Sequence, residues 1–372
     1  MSIKSSIFLA LFSILFIGCN SKNDNSFRIS GKIKNLEIKE IVLSKVEDIQ
    51  KKQLDVIDTL QVNNKGQFNS VYFLEPGVYS LNLNSEKKVP LAINYGQHIA
   101  ISGNSLEDLK ITGSSDTNLL ADYERFRNES LNRLVKSVRN EIIELKKENS
   151  AENEEVISKL REKEVGNYKI HLQELTDFAN AKMKNSVALY ATSIRWNSEN
   201  IAIYKDLVSN FEMEYPTISI TKRLKEKVSL LEKTSVGSIL ENIELPNANG
   251  EIISLHSTKL KYTLVDFWAS WCPPCRTESD LLNELYLEYH NNGFEIYGIS
   301  LDNSEKRWLN ALESDNRTWP NVTSLEGFKT KVAQNLGITA LPTNFLIDSN
   351  GKIIATNIHG NELKKKIIDL FE

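Results

Sequence analysis

The chain has 372 residues, too many for one core of ordinary size, so two or three domains are expected. With 41% hydrophobic and 25% charged residues, and only 16 Gly and 8 Pro, it has the composition of a globular rather than a disordered protein. A net charge of −4, with no basic stripe carrying interleaved aromatics, gives no reason to expect a nucleic-acid partner.

The first segment reads as a targeting signal. Lys4 supplies positive charge, and residues 7–17 are apolar apart from Ser13, ending at Gly18-Cys19. Such a run is too short to span a bilayer and has the length of a signal-peptide core. With the polar stretch 20–26 after it, this resembles a bacterial lipoprotein signal. The resemblance implies a signal peptide at 1–18, lipid on Cys19, a tether at 19–26 and attachment to the membrane through that lipid. Phe16 stands where Leu is usual in that pattern. The alternative is a plain secretory signal cleaved nearby. Both readings place the mature protein outside the cytoplasm, in the cell envelope, on the periplasmic side or as an outer-membrane lipoprotein.

Residues 27–115 alternate with period two, as in Phe27-Arg28-Ile29-Ser30 and Ile99-Ala100-Ile101, with turn residues between the runs. That pattern predicts an antiparallel β-sandwich-like domain or small barrel. His98 falls in a strand pattern and reads as structural. The layout changes at Ser115-Asp116, a helix N-cap signal. Apolar residues then recur at three and four, from Leu119 to Leu145 and from Ile157 to Ala179, with a polar turn between. Two amphipathic helices in a hairpin are expected, then shorter helices near 186–194, 200–211 and 218–231. This helical region spans 116–232, and charges of both signs cover its outer faces. A solvated bundle is the bland reading of those faces; a homodimer or docking surface is the sharper one.

A third unit occupies 236–372 and alternates strand and helix signals. Strands are expected at 252–255, 262–269 and 294–300, helices at 281–289, 306–312 and 328–336, then a hairpin of 345–347 with 353–355 and a last helix at 362–371. The run 262–269 has the apolar character of a central strand covered on both faces. Such alternation makes an α/β domain.

The chemistry centres on Trp271-Cys272-Pro273-Pro274-Cys275, placed after the buried strand and opening a helix. Unpaired N–H groups and the positive end of the dipole stabilise a thiolate there, lowering its pKa from about 8.5 towards 7 or below. Cys272 is expected to be the exposed nucleophile, and Cys275, one turn on, to resolve the mixed disulfide. Pro273 suits the first turn, where its missing N–H is no loss, and both prolines stiffen the loop. The chain has three Cys; if Cys19 carries lipid, only this pair remains. A zinc site would need four ligands, and neither another Cys pair nor suitably spaced His is present. A purely structural pair is the other alternative, although so short a loop adds little stability. No metal or other cofactor is called for.

Residues 265–275, with Arg276-Thr277-Glu278 after them, resemble the active-site segment of the thioredoxin superfamily, in particular its TlpA/ResA branch. Residues 341–348 followed by Gly351 resemble that branch's second signature. The resemblance covers 236–372 and implies a thioredoxin fold, a redox disulfide between Cys272 and Cys275, and thiol–disulfide exchange. It makes Pro342 the cis-proline facing the disulfide and Leu341 the residue that offers main-chain groups to substrate. Asp266 matches the buried acid of thioredoxin, with a raised pKa, acting towards Cys275; Glu278 matches the acid of the ResA-like branch. The strand 294–300 lacks the Lys that pairs this Asp in thioredoxin. Trp268 and Trp271 are expected beside the disulfide as docking surface. Ala340 and Leu336 depart from the family's usual Gly and Tyr near the substrate face.

The resemblance implies a lipid-anchored reductase of disulfide-bearing envelope proteins, with apocytochrome c as one candidate client and a membrane thiol carrier as electron donor. A disulfide isomerase, or a binding lipoprotein with a vestigial redox domain, are the competing readings.

Overall fold

The computed structural model describes residues 25–36, 38–147 and 150–372. The expected signal peptide, Cys19 and the start of the tether lie outside the described residues.

Strands β1 (Phe27–Ile33), β2 (Glu40–Asp48), β3 (Gln53–Gln61), β4 (Gln67–Tyr72), β5 (Gly77–Asn82), β6 (Lys88–Ile93), β7 (His98–Gly103) and β8 (Lys110–Thr112) come first. They form two four-stranded sheets, ordered β4-β1-β7-β8 and β3-β2-β5-β6. Alternation explains why. Ile29, Leu43, Leu81 and Ile99 point into one shared core, and their neighbours are less buried, except Ser44, which is buried where the β2–β3 register shifts. Pairing is antiparallel except between β1 and β7, which run parallel with Ile29 opposite Ile99. His98 is exposed and shares a hydrogen bond with Ser30 across that pair, 2.8 Å.

Helices follow: α1 (Ser115–Leu131), then π-helical Asn132–Lys136, α2 (Ser137–Leu145), α3 (Ala151–Lys182), α4 (Leu189–Thr192), α5 (Ile201–Glu214) and α6 (Ser219–Lys233). The α1 cap is Ser114, one place before the expected signal. Its hydroxyl accepts from the Thr117 amide and donates to the Ala92 carbonyl of β6. The helix expected over 186–194 is α-helical only in α4. Asp116 holds the preceding turn by accepting from Ser186 Oγ and the Val187 amide.

The C-terminal unit contains β9 (Glu244–Pro246), β10 (Ile252–Ser254), α7 (Leu255–Thr258), β11 (Tyr262–Trp268), α8 (Pro273–Tyr289), β12 (Phe294–Ser300), α9 (Glu305–Ser314), β13 (Asn321–Thr323), α10 (Lys331–Asn335), β14 (Thr343–Asp348), β15 (Ile353–Thr356) and α11 (Gly360–Phe371). Its main sheet has the order β13-β12-β11-β14-β15. β11 is central, parallel to β12 and antiparallel to β14. This is the thioredoxin-like arrangement that the resemblance implies. Leu264, Ile296 and Leu346 pack under α8 and α11 through Leu282, Leu285, Leu363 and Ile367. Val265, Phe267, Ile299 and Phe345 fill the opposite face. Strands covered on both sides read as continuous apolar runs, as these do. The helix expected at 328–336 is interrupted at Thr330, whose ψ of 138° is extended, leaving only α10. β13 was not anticipated from the sequence. Its three residues are too few to show alternation.

Among the described residues no helix is long and apolar enough to cross a membrane.

Candidate active site

β11 delivers the chain to the edge of the sheet, and α8 begins five residues later at Pro273. Cys272 is the N-cap of α8, with the extended backbone that a cap requires. Its Sγ accepts a hydrogen bond from the Cys275 amide at 3.3 Å. The sulfur therefore sits on the unpaired N–H groups at the positive end of the helix, where a thiolate gains most. Cys272 and Cys275 form a disulfide, with Cα atoms 5.3 Å apart.

Cys272 is not the exposed group expected from the sequence. It is only 3% exposed, because both sulfurs join Trp268, Ala269 and Trp308 in one apolar cluster with Leu341 against it. The surface residue is Trp271, 46% exposed and tilted against Phe328 with ring centroids 6.0 Å apart. Trp268, expected beside it on the docking surface, is wholly buried. Pro273 and Pro274 occupy the first turn of α8. The Leu341–Pro342 peptide bond is cis.

The two acids sit in separate buried pairs. Asp266, in the middle of β11, bonds to Arg317 at 3.0 Å. The cation that β12 lacks thus comes from the loop between α9 and β13. Arg317 is itself fully buried, and its charge is spread over several partners. It donates to Ser279 Oγ and to the Cys275 carbonyl, each at 3.0 Å, and lies over the Trp268 ring at 3.9 Å. Burial raises the Asp266 pKa, the nearby Glu278 charge adds to the rise, and the guanidinium opposes it.

Glu278 lies one turn beyond Cys275 on the same face of α8. It meets His359, the N-cap residue of α11, at 2.9 Å, and also accepts from the Gly360 amide. Burial would raise the Glu278 pKa, but the His359 imidazolium and these hydrogen bonds bring it below its ordinary value. For His359, burial pulls the pKa down and Glu278 more than reverses it, so the net shift is upward. Neither shift suits a carboxylic acid that holds its own proton. The proton of the pair sits on the imidazole.

Sequence reasoning missed Arg317 and His359. His359 stands 81 positions from Glu278, so no local pattern joins them. Its available signal was a His before Gly360 at the start of an amphipathic helix, an N-cap position. Arg317 carried no signal at all. Among the described residues no group of three or more His, Cys, Asp and Glu is arranged to hold a metal ion.

A cavity of about 1270 Å³ opens beside this site, between the helical layer and the redox domain. Its lining includes Pro274, Glu278, Pro342 and His359 on one side and Arg161 and Lys227 on the other. Leu336 and Ala340, the two departures from the family pattern, also line it. Arg161 of α3 crosses to the active-site helix, where it donates to the Pro273 carbonyl at 3.2 Å and to Thr277 Oγ1.

Residues 236–356 match the model of the AhpC/TSA family. A thiol-disulfide oxidoreductase named ResA from Bacillus thuringiensis is 31% identical over 136 residues, which are 37% of this chain and 76% of that protein. The ResA of Bacillus subtilis is 30% identical over 123 residues, 33% of this chain and 67% of its own length. Among solved structures, the thioredoxin domain of a thiol-disulfide oxidoreductase from Bacteroides vulgatus is 33% identical, covering 37% of this chain and 99% of that one, with a TM-score of 0.36. The β-rich and helical parts lie outside the residues matched by the family model.

Proposed function

The chain belongs to the ResA family of thiol-disulfide oxidoreductases, and on that footing we propose that it is an exported, lipid-anchored reductase of disulfides in envelope proteins. The observation that carries the reading is the cysteine pair at the start of α8, with the Cys275 amide aimed at Cys272 Sγ.

In the reduced enzyme the Cys272 thiolate attacks one sulfur of the client disulfide. The client S–S bond breaks, a Cys272–client disulfide forms, and the other client sulfur leaves as a thiolate that takes a proton. Cys275 then loses its proton and attacks Cys272 Sγ. The second client thiol is released, and the enzyme keeps the Cys272–Cys275 disulfide. Two electrons have passed to the client, and a membrane thiol carrier restores them to the enzyme.

In this scheme the Glu278–His359 pair takes the Cys275 proton and returns it, a role supported by its position one turn beyond Cys275 on α8. Asp266 acts through Arg317, which grips the Cys275 carbonyl, and is a positioning residue in this scheme. Leu341 supports client docking: no described residue bonds to its main-chain N–H or C=O, so both are free for an extended chain. Apocytochrome c, whose haem-attachment thiols must be reduced, is one fitting client.

Membranes from cells expressing a Cys275→Ser form are the test. Mixed disulfides between Cys272 and envelope proteins are expected to accumulate and to collapse on adding dithiothreitol. A lane without adducts would sink the reading. Labelling the same cells with a tagged fatty acid should mark the chain, and Cys19→Ala should remove the label; a label that persists removes the anchor from Cys19.

A further inference from the structure

Helix α6 buries Ile220, Leu224, Val228 and Leu231 along one stripe, and Lys227 stands on the same stripe. It is only 4% exposed. An apolar residue would be ordinary there. No hydrogen bond or ion pair joins Lys227 to a described residue, and burial is the one cause that pulls its pKa down, to about 8. Its Nζ reaches across to the redox domain, 3.8 Å from where a side chain on Gly337 would begin. The stem is packed in the stripe while the Nζ keeps contact with the space of the cavity, so its charge is left for an occupant to answer. Most acids that line the cavity are engaged elsewhere: Glu278 with His359, Glu226 with Arg223, Asp48 with Lys51 and Arg223, and Glu199 and Glu362 with Lys169. Glu162 has no such partner among the described residues, and its carboxyl lies beside Gly360 at the start of α11.

The cavity that Lys227 lines is larger than a small-molecule pocket, which runs to roughly 1,000 Å³. Trp196, Leu231 and Phe328 give it apolar walls, and Pro342, next to the unpaired main chain of Leu341, lies in its lining. These features fit an extended polypeptide better than a compact ligand.

We propose that this cavity seats the segment of the client that carries its disulfide, and that Lys227 binds a carboxylate on that segment. The inference rests on the reductase reading and adds a substrate class to it: apolar, extended segments with an acidic group near the cysteines. The carboxylate comes either from an Asp or Glu side chain or from the end of a chain.

The test uses three fluorescent peptides that share a Cys-Xaa-Xaa-Cys disulfide between Val and Leu residues. One has Asp near the first Cys and an amidated end, one has Asn and an amidated end, and one has Asn and a free carboxylate end. Binding to the oxidised full chain, which involves no turnover, is read by anisotropy. A carboxylate peptide should bind about tenfold tighter than the Asn amide, as expected for a charged hydrogen bond. Whichever carboxylate gives the gain identifies its source. Lys227→Met should abolish the preference, and Lys227→Arg should keep it. Equal affinities for all three peptides with the wild-type chain, which need no variant, would overturn the proposal. So would a preference that survives Lys227→Met. Reduction of neutral hydroxyethyl disulfide by the wild-type dithiol form reports on the redox reading separately. If that reaction is absent while the carboxylate preference holds, the reductase reading fails and the binding site stands.

Discussion

Replacing Cys272 with Ser abolishes catalysed disulfide exchange, so insulin reduction falls to the background set by free reductant. The reason is positional. Of the two sulfurs, only Cys272 caps α8 and accepts the Cys275 amide, so only there is a thiolate favoured by the end of the helix. Ser at that position keeps a cap but has no accessible anion and no redox chemistry. Cys275→Ser differs in kind, because the first attack survives and only the release step is lost. Stopped-flow mixing of each reduced variant with an activated disulfide separates the two. Cys275→Ser should show a single burst of one thiol per chain, and Cys272→Ser should show none. A burst from the Cys272→Ser chain would reassign the nucleophile to Cys275.

Arg317→Met destabilises the chain by about 3–5 kcal/mol, the usual consequence of removing one member of a buried ion pair. Arg317 has no exposed side-chain surface, and Met would leave the Asp266 carboxylate buried without a counter-charge. Burial already raises the Asp266 pKa and the guanidinium restrains it, so the variant lets it rise further. The sign of the pH dependence follows. A carboxyl whose folded pKa lies above its unfolded value binds more protons when folded, so stability falls as pH rises through that range. The variant should therefore be weakest near neutral pH and recover towards about pH 4, narrowing its gap from the wild type. Denaturant melts followed by tryptophan fluorescence read this directly, because Trp268 lies against Arg317. Adding Asp266→Asn should return part of the loss at neutral pH. A gap that is constant with pH would show that the pair is not the cause.

These two expectations differ in how far the sequence alone supports them. Cys272 and Cys275 are neighbours along one helix turn, so local spacing reveals both their proximity and their place at a helix start. β11 is legible for a similar reason: a strand covered on both faces carries an unbroken apolar signal. The charges that surround the thiols obey no such local rule. Asp266 pairs with a residue 51 positions away, and Glu278 with one 81 away. Only the assembled sheet and its helices, which bring β11, α8, the α9–β13 loop and the start of α11 together, make those neighbours. The burial of Cys272 escaped for the same reason, since Trp308 and Leu341 reach it from other elements. The parallel pairing of β1 with β7 was equally hidden, because a period of two reports which face is buried and says nothing about direction.

The hydrogen bonds of Arg161 to Pro273 and Thr277 have a thermodynamic corollary. They tie the helical layer to the helix that carries the thiols, and both Arg161 and Thr277 line the same cavity. Docking of that layer and occupancy of the cavity are then linked equilibria. Any occupant that loosens the Arg161 contact must bind more tightly, by the same factor, once that contact has been cut by mutation. On the proposed occupancy, the helical layer would thus act on the affinity of a site to which it contributes no sulfur.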